Sequence, residues 1–341
     1  MGRESIMKEN KSNVKEFIGK LGPLLALVVV CIGLAIATEG RFLAFANIMN
    51  ILRQTPIIAL MAVGMLCVIL LGGIDLSAGS LLAISICCSG VVMQKFNIQN
   101  PLILILVCLV VGTLAGAFNG VLLTKLHLPH PFIATLGMKN VCRGLALLIT
   151  GATAIAGFPK GVTFVGVTNV GKIPLSFIMT IVLYIVMHIF LTRTGLGRKI
   201  FSFGGNSEAA RLAGINTDRV QIFCYATSGF FCAVAGIVYM GRLNSAVPLA
   251  SLEGDLDAIA SCIIGGASFL GGKGNVWGTL VGAMMIAVIR NGCDLIGVSS
   301  DLQQIVIGAV IVIAVFIDVL RGQMDAKAKR LAIAKSLEAA S

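Results

Sequence analysis

The sequence is short of charge. Asp, Glu, Lys and Arg make up 12% of its 341 residues, whereas a soluble domain carries nearer a quarter. It has no polar block large enough for a separate soluble domain, because nearly charge-free apolar runs recur from residue 22 to residue 320. Histidine is scarce, at three residues, and ten cysteines supply no C-x-x-C pair. This argues against a metal centre or a disulfide scaffold. Cys31, Cys67, Cys87, Cys88, Cys108, Cys142, Cys224, Cys232, Cys262 and Cys293 read as small buried hydrophobes. Neither G-x-S-x-G nor H-E-x-x-H occurs. A nucleotide-binding P-loop ending at Gly272-Lys273-Gly274 would need Gly at 267 and Ser or Thr at 274, where the chain has Ala267 and Gly274. No catalytic residue, metal site or cofactor is indicated, and ATP hydrolysis is not expected of this chain. Intramembrane carboxylates are also few. Asp75, Asp294 and Asp318 fall near ends or breaks of the apolar runs, which is thin support for proton coupling.

What is abundant is apolar surface and glycine. The chain is 57% hydrophobic with 40 glycines, and its mean hydropathy is +0.98. Such a chain needs lipid around it, and glycine lets membrane helices pack closely. The fold expected is all-α, a polytopic membrane protein. Helices are read at 22–38, 56–73, 77–94, 101–123, 132–150, 174–192, 222–241, 258–270, 276–294 and 303–320, which makes ten spans, with eight as the lower bound. The short run 258–270 reads as a half-helix, a tilted span or part of a broken helix. The pair 56–73 and 77–94 also reads as one interrupted element. Ala35-Ile36-Ala37 imitates a signal-cleavage site, but the run before it is long for a signal peptide and is kept as the first helix.

The net charge of +11 would suggest nucleic acid in a soluble protein. Here the positive residues sit between apolar runs and read as topology signals. Arg3, Lys8, Lys11, Lys15 and Lys20 form one cluster. Arg193, Arg198, Lys199, Arg211 and Arg219 form a second, and Arg321, Lys327, Lys329, Arg330 and Lys335 a third. Ten spans put all three on one side, the cytoplasm. The opposite loops hold Arg41, Arg53, Lys95, Lys160, Lys172 and Arg242 with the acids Glu39, Glu253, Asp255, Asp257 and Asp301. The organisation expected is a cytoplasmic segment 1–21, a transmembrane domain 22–320 with a cytoplasmic loop 193–221, and a cytoplasmic tail 321–341. The stretch 151–173 reads as an ordinary surface loop, with a lid as the alternative.

Two stretches echo each other. Leu70-Leu71-Gly72-Gly73-Ile74-Asp75-Leu76-Ser77-Ala78-Gly79-Ser80 and Ile263-Ile264-Gly265-Gly266-Ala267-Ser268-Phe269-Leu270-Gly271-Gly272-Lys273-Gly274 each place a Gly-rich turn between apolar segments. This suggests an internal repeat of the kind many transporters carry. Gly112, Gly116 and Gly120 lie on one helix face, as do Gly278 and Gly282, and read as close-packing stripes whose neighbour is in this chain or in another. Asp75 and Ser77 read as the cap of the following helix and as candidates for a pathway or gate. Arg143 and Asn291 are further pathway candidates. Lys139 and Arg143 are expected to snorkel to the surface, or Arg143 to pair inside. His188 stands alone and reads as packing.

In the basic loop, Gly204-Gly205-Asn206-Ser207-Glu208-Ala209-Ala210-Arg211-Leu212-Ala213-Gly214-Ile215 spells a short helix. Asn206 or Ser207 is its cap, Glu208 stands at its N-terminus, and Gly214 is its stop. Such a helix suits docking into a groove on a soluble partner or resting on lipid. Glu208-Ala209-Ala210-x-x-x-Gly214 resembles the EAA-x-x-x-G signature of permease subunits of ATP-binding-cassette (ABC) importers. The usual continuation I-x-L-P is missing, since the chain reads Val220-Gln221-Ile222-Phe223-Cys224. The departure fits one branch, the permeases of ribose-type importers that serve ribose, xylose, galactose and related monosaccharides. The sequence is similar to these at Ala62-Val63-Gly64-Met65, Gly73-Ile74-Asp75-Leu76-Ser77-x-Gly79-Ser80 and Pro131-Phe132-Ile133-Ala134-Thr135-Leu136-Gly137. The similarity continues at Gly204-Gly205-Asn206, Gly214-Ile215-Asn216, Leu256-Asp257-Ala258-Ile259-Ala260 and Gly271-Gly272-Lys273-Gly274.

The resemblance implies a homodimer of permeases in a bacterial inner membrane, an ATPase with two nucleotide-binding domains, and a sugar-binding protein at the outer face. It implies that 204–215 is the coupling helix, with Asn206, Glu208, Ala209, Ala210 and Gly214 meeting the ATPase. The competing readings are an ion- or proton-coupled secondary carrier, a branched-chain amino-acid ABC permease, and an anchor or scaffold without a pathway.

Overall fold

The computed structural model describes residues 22–320 apart from 127, 129, 300, 317 and 318. The segments 1–21 and 321–341, and Asp318, lie outside the described residues. Each of the ten apolar runs coincides with a helix. These are α1 (Gly22–Ala37), α2 (Phe45–Leu70), α3 (Ala78–Lys95), α4 (Pro101–Lys125) and α5 (Pro131–Thr150). After a short α6 (Lys160–Val167) come α7 (Leu175–Arg193), α8 (Gly195–Gly205), α9 (Ser207–Leu212) and α10 (Thr217–Leu243). The chain closes with α11 (Gly254–Ile264), α12 (Val276–Leu295) and α13 (Asp301–Phe316). The protein is all-α; among the described residues strand is limited to the two-residue β1 (Ile155–Ala156), β2 (Asn169–Val170), β3 (Ile173–Pro174) and β4 (Ser245–Ala246). Among the described residues seven helices are long and apolar enough to cross a membrane, while α1 and α13 are apolar but shorter. The ten expected spans therefore meet seven helices of spanning length.

The departures from the expected boundaries have local causes. α2 starts at Phe45 rather than 56, because Asn47, Asn50, Arg53, Gln54 and Pro56 disguise its first turns as a loop. Pro56 is tolerated, as prolines are in membrane helices. α10 starts at Thr217, where Asn216 caps it by accepting from the Arg219 N–H at 3.0 Å. α11 begins at Gly254, four residues before the expected start, and ends at Ile264. Asp255 and Asp257 are thus buried in its first turn and do not belong to an outer loop. The stretch 151–173 is more than a surface loop. β1 pairs with β4 and β2 with β3, and α6 packs so closely on α10 that a Cβ at Gly166 would overlap the Gly241–Arg242 backbone.

Glycine seams hold the bundle together. A Cβ at Gly112 would stand 2.7 Å from the Gly229 carbonyl, one at Gly120 would stand 2.5 Å from the Ile222 Cα, and one at Gly116 would overlap the Tyr225 carbonyl. The three-glycine stripe of α4 therefore packs against α10 of the same chain, with Gly229 answering it from the other side. Gly278 and Gly282 of α12 likewise meet Gly265 and Ser261 at the end of α11. Backbone-to-backbone contact of this kind replaces the hydrophobic driving force that lipid removes. α2 and α3 are buried along most of their length, whereas α4, α5 and α7 expose most of theirs.

Candidate functional site

The basic loop folds as the sequence dictates, through three successive polar caps. Thr194 accepts from the Gly197 N–H at 3.0 Å and starts α8. Asn206 accepts from the Ala209 N–H at 2.9 Å and starts α9. Asn216 then starts α10. α9 ends in a tight closure, with Ile215 N–H bonding the Ala210 carbonyl and Gly214 N–H the Arg211 carbonyl, both at 3.0 Å. Gly214 takes φ +81°, a conformation glycine supplies without strain. Glu208 and Arg211 pair across one turn at 2.7 Å, and the carboxylate raises the Arg211 pKa above its usual value. Both are exposed, so this pair adds little stability. Glu208, Ala209 and Gly214 face outward, and Leu212 is 79% exposed. Ala210, expected in the same outward set, is buried and packs toward the protein.

Two residues before the α9 cap, the chain locks onto both Gly-rich turns. A Cβ at Gly204 would overlap the Leu70 carbonyl and stand 2.5 Å from the Gly272 nitrogen. The Gly272 N–H donates to that same Leu70 carbonyl at 2.9 Å. Gly271, at φ +83°, crowds Gly72, at φ +76°, closely enough that an added Cβ would be 2.8 Å from the Gly72 nitrogen. The two echoed stretches therefore touch each other, and the end of α8 sits on their junction. α2, its turn and α3 in the first half are matched by α11, its turn and α12 in the second.

Asp75 lies between α2 and α3 and is fully buried. Its Oδ1 accepts from the Ser77 N–H at 3.0 Å and from the Ser77 hydroxyl, and its Oδ2 accepts from Ser228 Oγ at 2.8 Å. Asn119 Nδ2 donates to Ser77 Oγ at 2.8 Å. The expected helix cap is therefore displaced. Ser77 occupies the cap position of α3 without a side-chain bond to the helix, and Asp75 closes the turn before it and ties it to α10. Thr135 Oγ1 and the Tyr225 hydroxyl bond the Ile74 carbonyl at 3.3 and 3.4 Å.

A second polar layer joins α5, α11 and α12. Lys139 does not snorkel; its Nζ pairs with Asp255 Oδ2 at 2.7 Å. Arg143 reaches inside, and its Nη1 donates to the Pro248 and Ala250 carbonyls at 2.7 and 2.8 Å. Arg290 Nη2 bonds both oxygens of Asp257, at 2.8 and 2.9 Å. Asn291 and Asn47 exchange reciprocal amide bonds at 2.8 and 2.9 Å, which ties α12 to α2. Asp294 accepts from Gln303 Nε2 at 2.7 Å. His188 stacks near Trp277 with ring centroids 5.9 Å apart. Among the described residues no group of three His, Cys, Asp or Glu side chains could hold a metal ion.

Residues 47–315 match the model of a family described as branched-chain amino acid transport system / permease component. The chain belongs to this permease family. The permease is 38% identical to the ribose import permease of Haemophilus influenzae over 321 residues, covering 92% of this chain and 98% of the relative. It is 39% identical to the ribose import permease of Bacillus subtilis over 302 residues, 88% and 92% of the two chains. It is 33% identical to the galactose/methyl galactoside import permease of Escherichia coli over 329 residues, 91% and 97% of the two chains. No solved structure matches it significantly. It is a multi-pass membrane protein and a transport component, not an enzyme.

Of the residues marked in the sequence, the fold gathers Asp75 and Ser77 in one buried network and places Arg143 and Asn291 in another layer. Ser228 and Asn119 were missed because isolated polar residues in apolar helices carry no spacing signal. Lys139–Asp255 and Arg290–Asp257 were missed because their partners are 116 and 33 residues apart.

Proposed function

We propose that this permease is the membrane-spanning subunit of an ATP-driven importer for a monosaccharide, coupled through α9 to a separate ATPase. Two copies form the pathway, the ATPase supplies two nucleotide-binding domains, and a sugar-binding protein delivers cargo at the end opposite α9. The setting is a bacterial inner membrane, with ten spans and both termini in the cytoplasm, in line with the three basic clusters.

The observation that carries the coupling is the junction at Gly204. A push on α9 reaches the turn after α2 and the turn after α11 together, because Gly204, Leu70 and Gly272 are in backbone contact. Exposed Leu212 and Ala209 give α9 a small apolar face for a groove. ATP binding then shifts the permease between two states through contacts that differ in each. The monosaccharide reading is supported by relatives named for ribose and galactose import at 33–39% identity over most of the chain. The family description favours a branched-chain amino acid, and those relatives outweigh it.

Reconstitution tests this. Vesicles holding the permease, its ATPase and its binding protein are expected to accumulate a monosaccharide only with ATP. Accumulation of leucine instead, or of sugar driven by an ion gradient without ATP, contradicts the reading.

A further inference from the structure

Lys139 and Arg143 stand one turn apart on α5, and together they hold the irregular segment that leads into α11. That segment runs deep. Ala246 packs at Gly90 of α3, while the Ser251 carbonyl packs at Gly79 of the same helix. Eleven residues of α3 separate these two contacts, roughly 16 Å at 1.5 Å per residue, about half of a bilayer's hydrocarbon thickness. Non-helical backbone at this depth persists only where it is buried in protein or lines a wet cavity. In transporters, broken helices of this kind meet the cargo. Arg143 satisfies two of the segment's carbonyls, at Pro248 and Ala250, and Lys139 anchors the first turn of α11 through Asp255.

Three buried side-chain atoms of this layer have no partner among the described residues: Arg290 Nε, beside its pair with Asp257, and two that belong to the α5–α11 junction. Asp255 Oδ1 is a buried acceptor and Arg143 Nη2 a buried donor. Asp255 is fully buried, and Arg143 stands one turn along α5 from Lys139, the residue that pairs with Asp255. A hydroxyl is a neutral group that answers both, because it donates its proton to a carboxylate while its lone pair accepts from a guanidinium. We propose that the junction of α5 with the segment before α11 binds a hydroxyl of the transported sugar, with Asp255 as acceptor and Arg143 as donor. Lys139 is the positioning residue that holds Asp255. Lys139 and Arg143 keep part of their side chains exposed. This inference rests on the monosaccharide reading and deepens it.

The test measures uptake by the whole reconstituted complex of the parent sugar and of deoxy analogues that each lack one hydroxyl. Wild type, Asp255→Asn and Arg143→Lys are compared. The binding protein is the same throughout, so its own preference cancels when parent-to-analogue ratios are compared between backgrounds. A site built to bond a hydroxyl rejects the analogue lacking it, so the expected result is one deoxy position at which wild type discriminates by at least about tenfold. That ratio should fall toward one in both variants. The same ratio in all three backgrounds at every position overturns the proposal. Asp255→Asn removes the counter-charge of Lys139; should it fail to insert, Arg143→Lys, which keeps the charge, decides. Absence of any monosaccharide uptake by wild type contradicts the parent reading instead, and does so before the variants are compared.

Discussion

Gly204→Ala is the sharpest perturbation of the coupling path. Its new methyl would overlap the Leu70 carbonyl and press on the Gly272 nitrogen, so the Gly272–Leu70 hydrogen bond must break or the end of α8 must lift. Overpacking costs about 1–3 kcal/mol and a lost hydrogen bond about 1 kcal/mol. The docked arrangement is therefore disfavoured by about 2–4 kcal/mol, a bias of roughly 30- to 1,000-fold. α9 itself, capped from Asn206 onward, is left intact. The variant is expected to retain its ATPase in affinity purification while uptake in reconstituted vesicles falls by at least about tenfold, in proportion to that bias. Gly205→Ala is the control, because a Cβ there meets nothing within 4 Å. Wild-type uptake by Gly204→Ala would refute the idea that motion passes through this junction.

Gly214→Leu meets open space but a φ of +81°, so it costs about 1–2 kcal/mol in backbone strain and should stay inserted while losing coupled uptake; undiminished uptake would count against a docking role. Asp75→Asn keeps one acceptor for Ser77 but turns a donor toward Ser228, at a cost of about 1–3 kcal/mol, so uptake should suffer more than membrane insertion. Equal loss of both would favour a purely structural turn. Arg290→Met strands the buried Asp257 and should destabilise the permease by about 3–5 kcal/mol, with Arg290→Met/Asp257→Leu recovering most of it; thermal unfolding in detergent reads both.

How much of this was legible in the sequence depended on the range of the interaction. Local signals worked. The Asn206 cap, the Gly214 stop and the ten apolar runs follow from residue types a few positions apart, and the structure places a helix on each run. The stripe Gly112–Gly116–Gly120 was also legible, but its partner was not, because Gly229 announces itself only through contact. Charges misled where they were paired at a distance. Asp255 and Asp257 looked like loop residues because their partners Lys139 and Arg290 lie on other helices, which moved the apparent start of α11 by four residues. Arg53 and Pro56 hid the first turns of α2 for a different reason, because a charge and a proline among polar residues read as a loop. Ala210 was placed on the outer face of α9 because a six-residue helix is too short for periodicity to separate its two sides.

The most direct test of the central claim is affinity purification of the tagged permease from its native membrane, with mass spectrometry of what accompanies it, repeated for Glu208→Lys. Glu208 is exposed at the start of α9, and its replacement also sets two like charges against each other at 208 and 211. The expected result is an ATPase that accompanies wild type and is lost from the variant. A preparation without any ATPase that still transports after reconstitution would contradict the account, and would point to a self-sufficient carrier with Asp75 and Asp294 as its ion-coupling candidates.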